Sequence, residues 1–322
     1  MKSVTPISKS SRNFLNFPQS PHGLKTKAWI KAFRLRTLPL ALSSVALGCF
    51  VAYYDGMFNL KVSILAAATT LFLQVLSNLA NDYGDSKHGV DSTKRVGPVR
   101  AVQSGVIAPL AMKRVVILFM ALSLASGLWL IYEGTRGIPF MYVILFVVLG
   151  LGAIAAAVKY TIGQNPYGYS GYGDLFVFIF FGLTGVLGTY FLNTHTLKWE
   201  VLLPGAAMGF LSAGVLNLNN MRDRENDREN GKNTLVVIMG IEKARWYHFF
   251  LLTGSVVAGL TYMLINYHSP FQMLFLVTIP MLWINVMVVF RNTIPEELDP
   301  YLKKLAIASL LFSLTFGIGL II

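Results

Sequence analysis

LKVSILAAATTLFLQVLSNLANDYGD, residues 60–85, is an apolar run that ends in amides and carboxylates. Read as a helix, this stretch places five polar side chains on one face: Gln74, Asn78, Asn81, Asp82 and Asp85. Such groups are costly in an apolar setting and normally mark a functional site. The stretch therefore predicts a helix that carries a polar site at its end.

A second apolar run, residues 199–221, closes in the same way with Asn217, Asn220, Asp223 and Asp227. The two endings also share a local pattern, since Asn81-Asp82-Tyr83-Gly84-Asp85 resembles Asn219-Asn220-Met221-Arg222-Asp223. We call Asp82 with Asp85 the first aspartate motif and Asp223 with Asp227 the second. Their similarity indicates two related halves whose carboxylates face each other.

The composition is that of a membrane protein. The chain has 322 residues, of which 54% are hydrophobic and only 13% charged, whereas soluble domains carry about 25% charged residues. The single cysteine, Cys49, excludes an intrachain disulfide and a cysteine-based zinc cluster. We predict an all-α, polytopic membrane protein with nine spans of bilayer length, at residues 37–54, 60–81, 112–132, 138–158, 174–193, 199–221, 246–266, 270–290 and 303–322.

The distribution of positive charge predicts the orientation. With the N-terminus in the cytoplasm, 24 of the 27 lysines and arginines lie in inside segments, and only Lys61, Arg136 and Lys198 lie outside. Such a bias fixes orientation under the positive-inside rule. We therefore expect a multi-pass protein of the inner (cytoplasmic) membrane, with both aspartate motifs in the cytoplasm and the C-terminus outside. The net charge of +12 has this membrane explanation, so nucleic acid is not an expected partner.

The first 27 residues contain no carboxylate and no apolar core of a secretory signal. We interpret residues 1–27 as a disordered basic tail; an organelle transit peptide is the alternative. Residues 28–322 then form the membrane domain.

The aspartate motifs predict chemistry with a metal and a phosphate. Several carboxylates that face each other need a cation between them, and oxygen ligands favour Mg²⁺ or Mn²⁺. Basic side chains of the same loops suit phosphate oxygens: Lys94, Arg95, Arg100, Arg222, Arg228 and Lys232. A metal and arginines beside an apolar cavity fit an amphiphile with a hydrocarbon tail and a diphosphate head. Simpler explanations exist for both kinds of residue. Arg95 and Arg100 could serve only to fix the orientation of the protein in the membrane, and the aspartates could serve only as helix caps.

Three further candidate residues lie in or near a Gly/Tyr-rich loop before the fifth span. Asp174 follows Pro166-Tyr167-Gly168-Tyr169-Ser170-Gly171-Tyr172-Gly173 and is either an N-cap or part of a loop that closes over a second substrate. Tyr160 and Tyr167 could shield a carbocation with their π faces, although tyrosine is also common at membrane interfaces.

Taken together, these motifs resemble the UbiA-type intramembrane aromatic prenyltransferases, and most closely their branch of 1,4-dihydroxy-2-naphthoate polyprenyltransferases. The resemblance runs from about residue 28 to near the C-terminus. It rests on Arg36-Thr37-Leu38-Pro39, Asn81-Asp82-Tyr83-Gly84-Asp85, Arg95-x-Gly97-Pro98-x-Arg100, Pro166-Tyr167-Gly168-Tyr169 with Gly173-Asp174, and Asn219-Asn220-x-Arg222-Asp223-x-x-x-Asp227-x-x-x-Gly231-Lys232-x-Thr234-Leu235.

The resemblance implies nine helices around a central cavity that cytoplasmic loops cap. Polyprenyl diphosphate and 1,4-dihydroxy-2-naphthoate would be the substrates, and CO₂ would leave with diphosphate to give demethylmenaquinone. Two Mg²⁺ ions would bind Asp82, Asp85, Asp223 and Asp227, supported by Asn78, Asn81 and Asn219. Negative charge on the departing diphosphate would be taken up by Arg95, Arg100, Arg222 and Lys232.

One departure concerns Asp91. The wider family places its third aspartate four residues after the second, whereas Asp91 follows Asp85 by six, which leaves its substrate-binding role open. Two alternative functions stay open. The protein could be a prenyltransferase that acts on 4-hydroxybenzoate or homogentisate, or it could be a cation-coupled transporter. The transporter fits less well because no charged residue lies near the middle of a predicted span.

Overall fold

The protein is an all-helical, multi-pass membrane protein. The computed structural model describes residues 21–89, 97 and 99–322, and within these residues we find no β-strand and nine helical segments long and apolar enough to cross a bilayer. The α-helices are α1 (Pro21–Phe33), α2 (Leu38–Tyr54), α3 (Leu60–Lys87), α4 (Pro109–Gly134), α5 (Phe140–Lys159), α6 (Gly173–Val177), α7 (Thr189–Thr194), α8 (Leu202–Glu229), α9 (Leu235–Met239), α10 (Ile241–Ile265), α11 (Ile279–Arg291) and α12 (Asp299–Ile321). A π-helix, Phe178–Gly188, joins α6 to α7, and a 3₁₀ helix, Pro270–Thr278, precedes α11. The predicted fold class and number of spans are confirmed.

Two spans are longer than the hydropathy indicates. α3 continues to Lys87 and α8 to Glu229, six and eight residues past the predicted ends at 81 and 221. The apolar run stops where the amides and carboxylates begin, but the backbone stays helical, and several of those side chains have hydrogen-bond or ion-pair partners, among them Asn78, Asp85 and Asp223. As a result, both aspartate motifs lie on helix rather than in loops.

The chain enters the first span through a sharp corner. α1 begins at Pro21, inside the stretch that we interpreted as a tail, while residues 1–20 lie outside the described residues. Arg34 then adopts a left-handed conformation with φ of 49°, which is uncommon for a residue with a side chain. Thr37 stabilises the turn, since its backbone N–H and its hydroxyl both donate to the Arg34 carbonyl at 2.9 Å. We call residues 33–37 the α1–α2 corner.

The π-helix is held by glycine contacts with its neighbours. A Cβ on Gly182 would lie 2.5 Å from the Cα of Gly209 on α8, and one on Gly185 would lie 2.9 Å from the Cβ of Ser44 on α2. Long π-helices are rare, and shorter ones often mark functional sites. Here the π-helix forms one wall of a cavity.

That cavity, of about 330 Å³, runs through the helical bundle. Its polar end is lined by Arg34, Arg36, Asn81, Asp85, Arg100 and Lys232, and its apolar end by Ala66, Leu130, Ile131, Phe146 and Leu192. Both Ala66 and Asp85 belong to α3, and 19 residues of α-helix rise about 28 Å. The cavity therefore extends over nearly the thickness of a bilayer's hydrocarbon core, about 30 Å.

Candidate active site

The ends of α3 and α8 bring the two aspartate motifs together at the polar end of the cavity. Lys232 lies between them, with its Nζ atom 3.5 Å from Asp85 Oδ2 and 3.8 Å from Asp227 Oδ1. Lys232 is itself buried, and it follows a tight turn at Gly231, where φ is 70°. The first and second aspartate motifs therefore lie on either side of the Lys232 ammonium group.

Asp85 is the most constrained carboxylate of the site. Its Oδ2 atom lies 2.5 Å from Arg100 Nη1, and its Oδ1 atom accepts a hydrogen bond of 2.7 Å from the Tyr169 hydroxyl. Arg100 also donates to the Asn81 carbonyl at 2.7 Å. The Lys232 ammonium stands 5.4 Å from the centre of the Tyr169 ring. Tyr169 therefore closes the site on the side of the Gly/Tyr-rich loop.

Among the residues that the structure describes, Asp82 and Asp227 each have one carboxylate oxygen without a hydrogen-bond partner. The Asp82 Oδ2 atom accepts from the Ala101 backbone N–H at 3.2 Å, but its Oδ1 atom is buried and unpaired, as is Oδ2 of Asp227. The two residues are only 2% and 3% exposed. A buried carboxylate oxygen without a donor is costly and calls for a cation.

These unpaired oxygens fit Mg²⁺ bound together with a phosphate. Within the described residues, no group of three carboxylate, imidazole or thiol side chains is close enough to hold a metal alone. Mg²⁺ usually binds proteins through one or two carboxylates and completes its shell with water and substrate phosphates. The arrangement therefore suits a metal that arrives with a diphosphate.

Asp223 of the second motif is held by a buried arginine. Arg222 donates to both oxygens of Asp223, at 2.8 and 2.7 Å, and to Asn219 Oδ1 at 2.9 Å. Its remaining Nη1 atom lies 2.5 Å from Asp299 on α12. Asp299 also accepts from Arg36 at 2.9 Å, so one carboxylate joins the first and last spans to the second motif.

The two asparagines of α3 have structural partners. Asn78 Nδ2 donates to the Phe33 carbonyl at 3.0 Å and to Thr37 Oγ1 at 3.2 Å, which fixes the α1–α2 corner against α3. Asn81 Oδ1 accepts from the Thr161 hydroxyl at 3.4 Å. Both asparagines also line the cavity, and their predicted support of the metal site stays a prediction.

Tyrosines form an aromatic wall beside this polar end. Tyr160 and Tyr167 pack edge to face with ring centres 5.4 Å apart, and Tyr167 stacks on Phe176 at 4.1 Å. Burial, followed by the nearby carboxylates, raises the pKa of Tyr160 and of Tyr169 above the ordinary value. Both hydroxyls therefore stay protonated at neutral pH, and that of Tyr169 donates to Asp85.

Asp174 lies behind this wall rather than at the cavity surface. It belongs to the first turn of α6, whose N-cap is Tyr172, so the N-cap interpretation of Asp174 is wrong. Its carboxylate is buried and accepts from the Tyr247 hydroxyl at 3.4 Å. The predicted closing of a loop over a substrate stays a prediction.

The family model that matches this chain is that of the UbiA prenyltransferase family, over residues 41–314. The protein belongs to this family. It is 42% identical to the 1,4-dihydroxy-2-naphthoate octaprenyltransferase of Escherichia coli (strain K12) over 296 residues, which cover 92% of this chain and 96% of that protein. It is also 34% identical to the enzyme of the same name from Mycobacterium tuberculosis (strain ATCC 25618 / H37Rv), over 89% of this chain and 94% of that one.

Solved structures agree with this family fold. A UbiA homologue from Archaeoglobus fulgidus bound to GPP and Mg²⁺ matches with a TM-score of 0.59 and 19% identity, covering 90% of this chain and 99% of that one. The apo structure of a UbiA homologue from Aeropyrum pernix K1 matches with a TM-score of 0.64 and 17% identity, covering 89% and 97%. The family predicted from the motifs is confirmed.

Not every predicted residue of this UbiA family member can be placed. Asp91 and Arg95 lie outside the described residues, so their roles stay predictions. Gly97 is described, and a Cβ there would lie 2.9 Å from Arg222 Nη2, which places Gly97 against the second motif. Sequence reasoning missed Tyr169 and Asp299 as partners of the motifs, because their contacts span 84 and 77 positions and leave no local pattern.

Proposed function

We propose that the protein transfers a polyprenyl group from polyprenyl diphosphate to 1,4-dihydroxy-2-naphthoate, with release of diphosphate and CO₂. The product carries the demethylmenaquinone skeleton. The observation that supports this most is the meeting of both aspartate motifs across Lys232 at the polar end of a long apolar cavity. The naphthoate acceptor is supported by the name of two relatives, 1,4-dihydroxy-2-naphthoate octaprenyltransferase, which are 42% and 41% identical in sequence to this chain.

Some residues of the protein would bind the diphosphate directly, and others would bind it through Mg²⁺. Arg100 and Lys232 lie at the cavity surface and can bind its oxygens directly. Asp82, Asp85, Asp223 and Asp227 would hold Mg²⁺, as two ions, with Mn²⁺ as a substitute. When bound, Mg²⁺ neutralises charge on the leaving diphosphate. Arg222 and Asn219 keep Asp223 in place, and we propose that Arg95 adds a further positive charge.

The reaction balances without an oxidant. The allylic C–O bond breaks and leaves both electrons on diphosphate, and a C–C bond forms between the allylic carbon and the electron-rich ring. Loss of the carboxylate as CO₂ returns an electron pair that restores the aromatic ring. The wall of Tyr160, Tyr167 and Phe176 offers π faces to the allylic cation and excludes water from it.

We also propose that the protein lies in the inner (cytoplasmic) membrane, with the N-terminus and both aspartate motifs in the cytoplasm and the C-terminus outside. The charge bias supports this orientation. It would give the site direct access to water-soluble naphthoate and Mg²⁺, while the apolar cavity takes the isoprenoid tail from the bilayer.

The test uses the purified protein in detergent with Mg²⁺, octaprenyl diphosphate and 1,4-dihydroxy-2-naphthoate. We expect equimolar diphosphate and CO₂, and a prenylated naphthoquinol by mass spectrometry. EDTA should stop turnover and Mg²⁺ should restore it.

Two outcomes would overturn the proposal in different ways. Turnover only with 4-hydroxybenzoate or homogentisate would keep the reaction class and refute the acceptor. A folded protein that binds Mg²⁺ and turns over none of these acceptors would favour the transporter.

A further inference from the structure

Another cavity opens beside the end of α8, on a different face of that helix from the main cavity. It has a volume of about 380 Å³ and is formed by the last turns of α8, the start of α10 and the segment that follows α11. Within the described part of the chain, its charged lining residues are Arg222, Arg224, Glu225, Glu229 and Arg245. We call this cavity the rear groove.

Arg224 has hydrogen-bonding capacity that its carboxylate partner does not use. Its Nη1 atom pairs with Glu225 at 3.0 Å, and Glu225 is also paired with Arg228 at 2.6 Å. The Nε atom of Arg224 is buried and has no hydrogen-bond partner among the described residues. A buried donor without an acceptor is costly, so an anion in the rear groove would stabilise Arg224.

Arg245 lines the groove from the side of α10. Its Nη1 atom donates to Glu242 at 2.8 Å and its Nη2 atom to the Asn292 carbonyl at 2.7 Å. Its Nε atom is also buried and, in the part of the chain that the structure describes, lacks a partner. Two guanidinium groups with unpaired N–H donors therefore line one groove, and such groups suit the several oxygens of a phosphate.

The balance of charge inside the rear groove favours an anion. Glu225, Glu229 and Glu242 are exposed, whereas Arg224 and Arg245 are half-buried. Water and salt screen exposed charges more strongly than partly buried ones. The potential within the groove is therefore set mainly by the two arginines.

Aromatic residues place the rear groove at the level of lipid headgroups. Trp246, next to Arg245 in the chain, is 54% exposed and packs edge to face on Phe290, with ring centres 5.1 Å apart. Phe250, one turn further along α10, is also exposed. Exposed tryptophan is typical of the membrane–water interface, and basic pockets between spans at that level bind anionic headgroups.

We propose that the rear groove binds the phosphate group of an anionic phospholipid, with Arg224 and Arg245 as the donors. Phe250, Val257 and Leu264 form an exposed apolar stripe on α10 along which an acyl chain can lie. The site is separate from the diphosphate site, although α8 connects them. Arg222 lines the groove and donates to Asn219, which lines the main cavity.

The experiment measures lipid binding by the purified full-length protein in detergent, so it does not depend on turnover or on the aromatic acceptor. Three probes are titrated: phosphatidylglycerol, diacylglycerol with the same acyl chains, and inorganic phosphate. Native mass spectrometry gives the fraction of protein that carries one lipid, and the melting temperature reports stabilisation by each probe.

The variants are Arg224→Gln and Arg245→Gln, with Arg291→Gln as the matched control. Arg291 is exposed at the end of α11 and does not line the rear groove, but it carries the same charge close to it. Arg245 also holds the Asn292 carbonyl, so Arg245→Gln could unfold. Arg224→Gln, which loses only the pair with exposed Glu225, then decides the outcome.

We expect one phosphatidylglycerol to bind the unmodified protein and raise its melting temperature, while diacylglycerol and inorganic phosphate at the same concentration do neither. Arg224→Gln and Arg245→Gln should each raise the Kd for phosphatidylglycerol by about tenfold, the loss expected for a charge-assisted hydrogen bond. Arg291→Gln should leave that Kd within about twofold.

Three results would overturn the inference. An unchanged Kd in Arg224→Gln would remove the rear groove as the binding site. An equal loss in Arg291→Gln would indicate general attraction between the lipid and a basic surface. Equal stabilisation by inorganic phosphate would replace the lipid by a soluble anion, and equal binding of diacylglycerol would remove the phosphate from recognition.

Discussion

The two oxygens of the Asp82 carboxylate have different surroundings, which separates its role in folding from its role in activity. Oδ2 accepts from the Ala101 N–H, and Oδ1 is buried and has no partner within the described part of the chain. In Asp82→Asn the amide oxygen can still accept from Ala101, so we expect the free energy of unfolding to change by no more than about 1 kcal/mol. Turnover should fall by about 10²–10³-fold, because a ligand for the diphosphate-bound metal is lost.

Asp55→Asn is the matched control at the opposite end of the helical bundle, where Asp55 lies between α2 and α3. Asp55 pairs with Lys198 at 2.7 Å and accepts from the Tyr190 hydroxyl at 2.6 Å, far from the aspartate motifs. This variant should lower the melting temperature in detergent and leave kcat unchanged. Near-normal turnover in Asp82→Asn would contradict the role of Asp82 as a metal ligand.

Single residues also show how far the sequence predicts the site. The spacing of Asn78, Asn81, Asp82 and Asp85 is enough to place them on one face, because helical periodicity is a local property. The roles of Tyr169 and Asp299 depend on partners more than 75 positions away. Nothing in the neighbouring sequence specifies such contacts, so they became visible only in the fold.

Among the helices, the π-helix and α8 approach each other closely at glycines. A Cβ on Gly182 would lie 2.5 Å from Gly209 Cα and 2.7 Å from the Gly205 carbonyl oxygen. These are backbone atoms that cannot rotate away. We expect Gly182→Ala to destabilise the protein by about 1–3 kcal/mol, measured as a lower melting temperature in detergent.

Gly150→Ala on α5 serves as its control. Gly150 lines the cavity, and a Cβ there would meet no atom within 4 Å. The added methyl group should leave the melting temperature unchanged. If Gly182→Ala were equally harmless, the close approach of the π-helix to α8 would be wrong.

Hydropathy located the nine spans, since burial in lipid requires long apolar runs. It did not predict the π-helix, whose backbone depends on glycine contacts with α2 and α8 rather than on residue polarity. It also ended α3 and α8 too early, because hydropathy registers the polarity of a residue and not the contacts that polar side chains make inside the bundle.

At the scale of the whole molecule, the cavity determines which isoprenoid tails fit. Gly150 lies midway along α5, between the aspartate motifs and the apolar end of the cavity. A phenylalanine at this position would project into open space and block the route of a long tail. Gly150→Phe should lower kcat/KM for octaprenyl diphosphate by about tenfold or more, while geranyl diphosphate, which needs only the polar end, is turned over as before.

The measurement is competition between the two diphosphates with 1,4-dihydroxy-2-naphthoate as acceptor, and Gly150→Ala is again the control. A parallel loss with both diphosphates would indicate a general disturbance of the site. An unchanged preference for the long tail would mean that the tail does not follow this cavity.

The two arginines that pair with Asp299 are synthesised before Asp299 itself. Arg36 stands at the start of the first span, Arg222 near the end of the sixth, and Asp299 at the start of the last. Ribosomes release these segments in that order, so both arginines enter the membrane before their common partner has been translated. A nascent chain that stops short of α12 therefore lacks the carboxylate that joins Arg36 to Arg222.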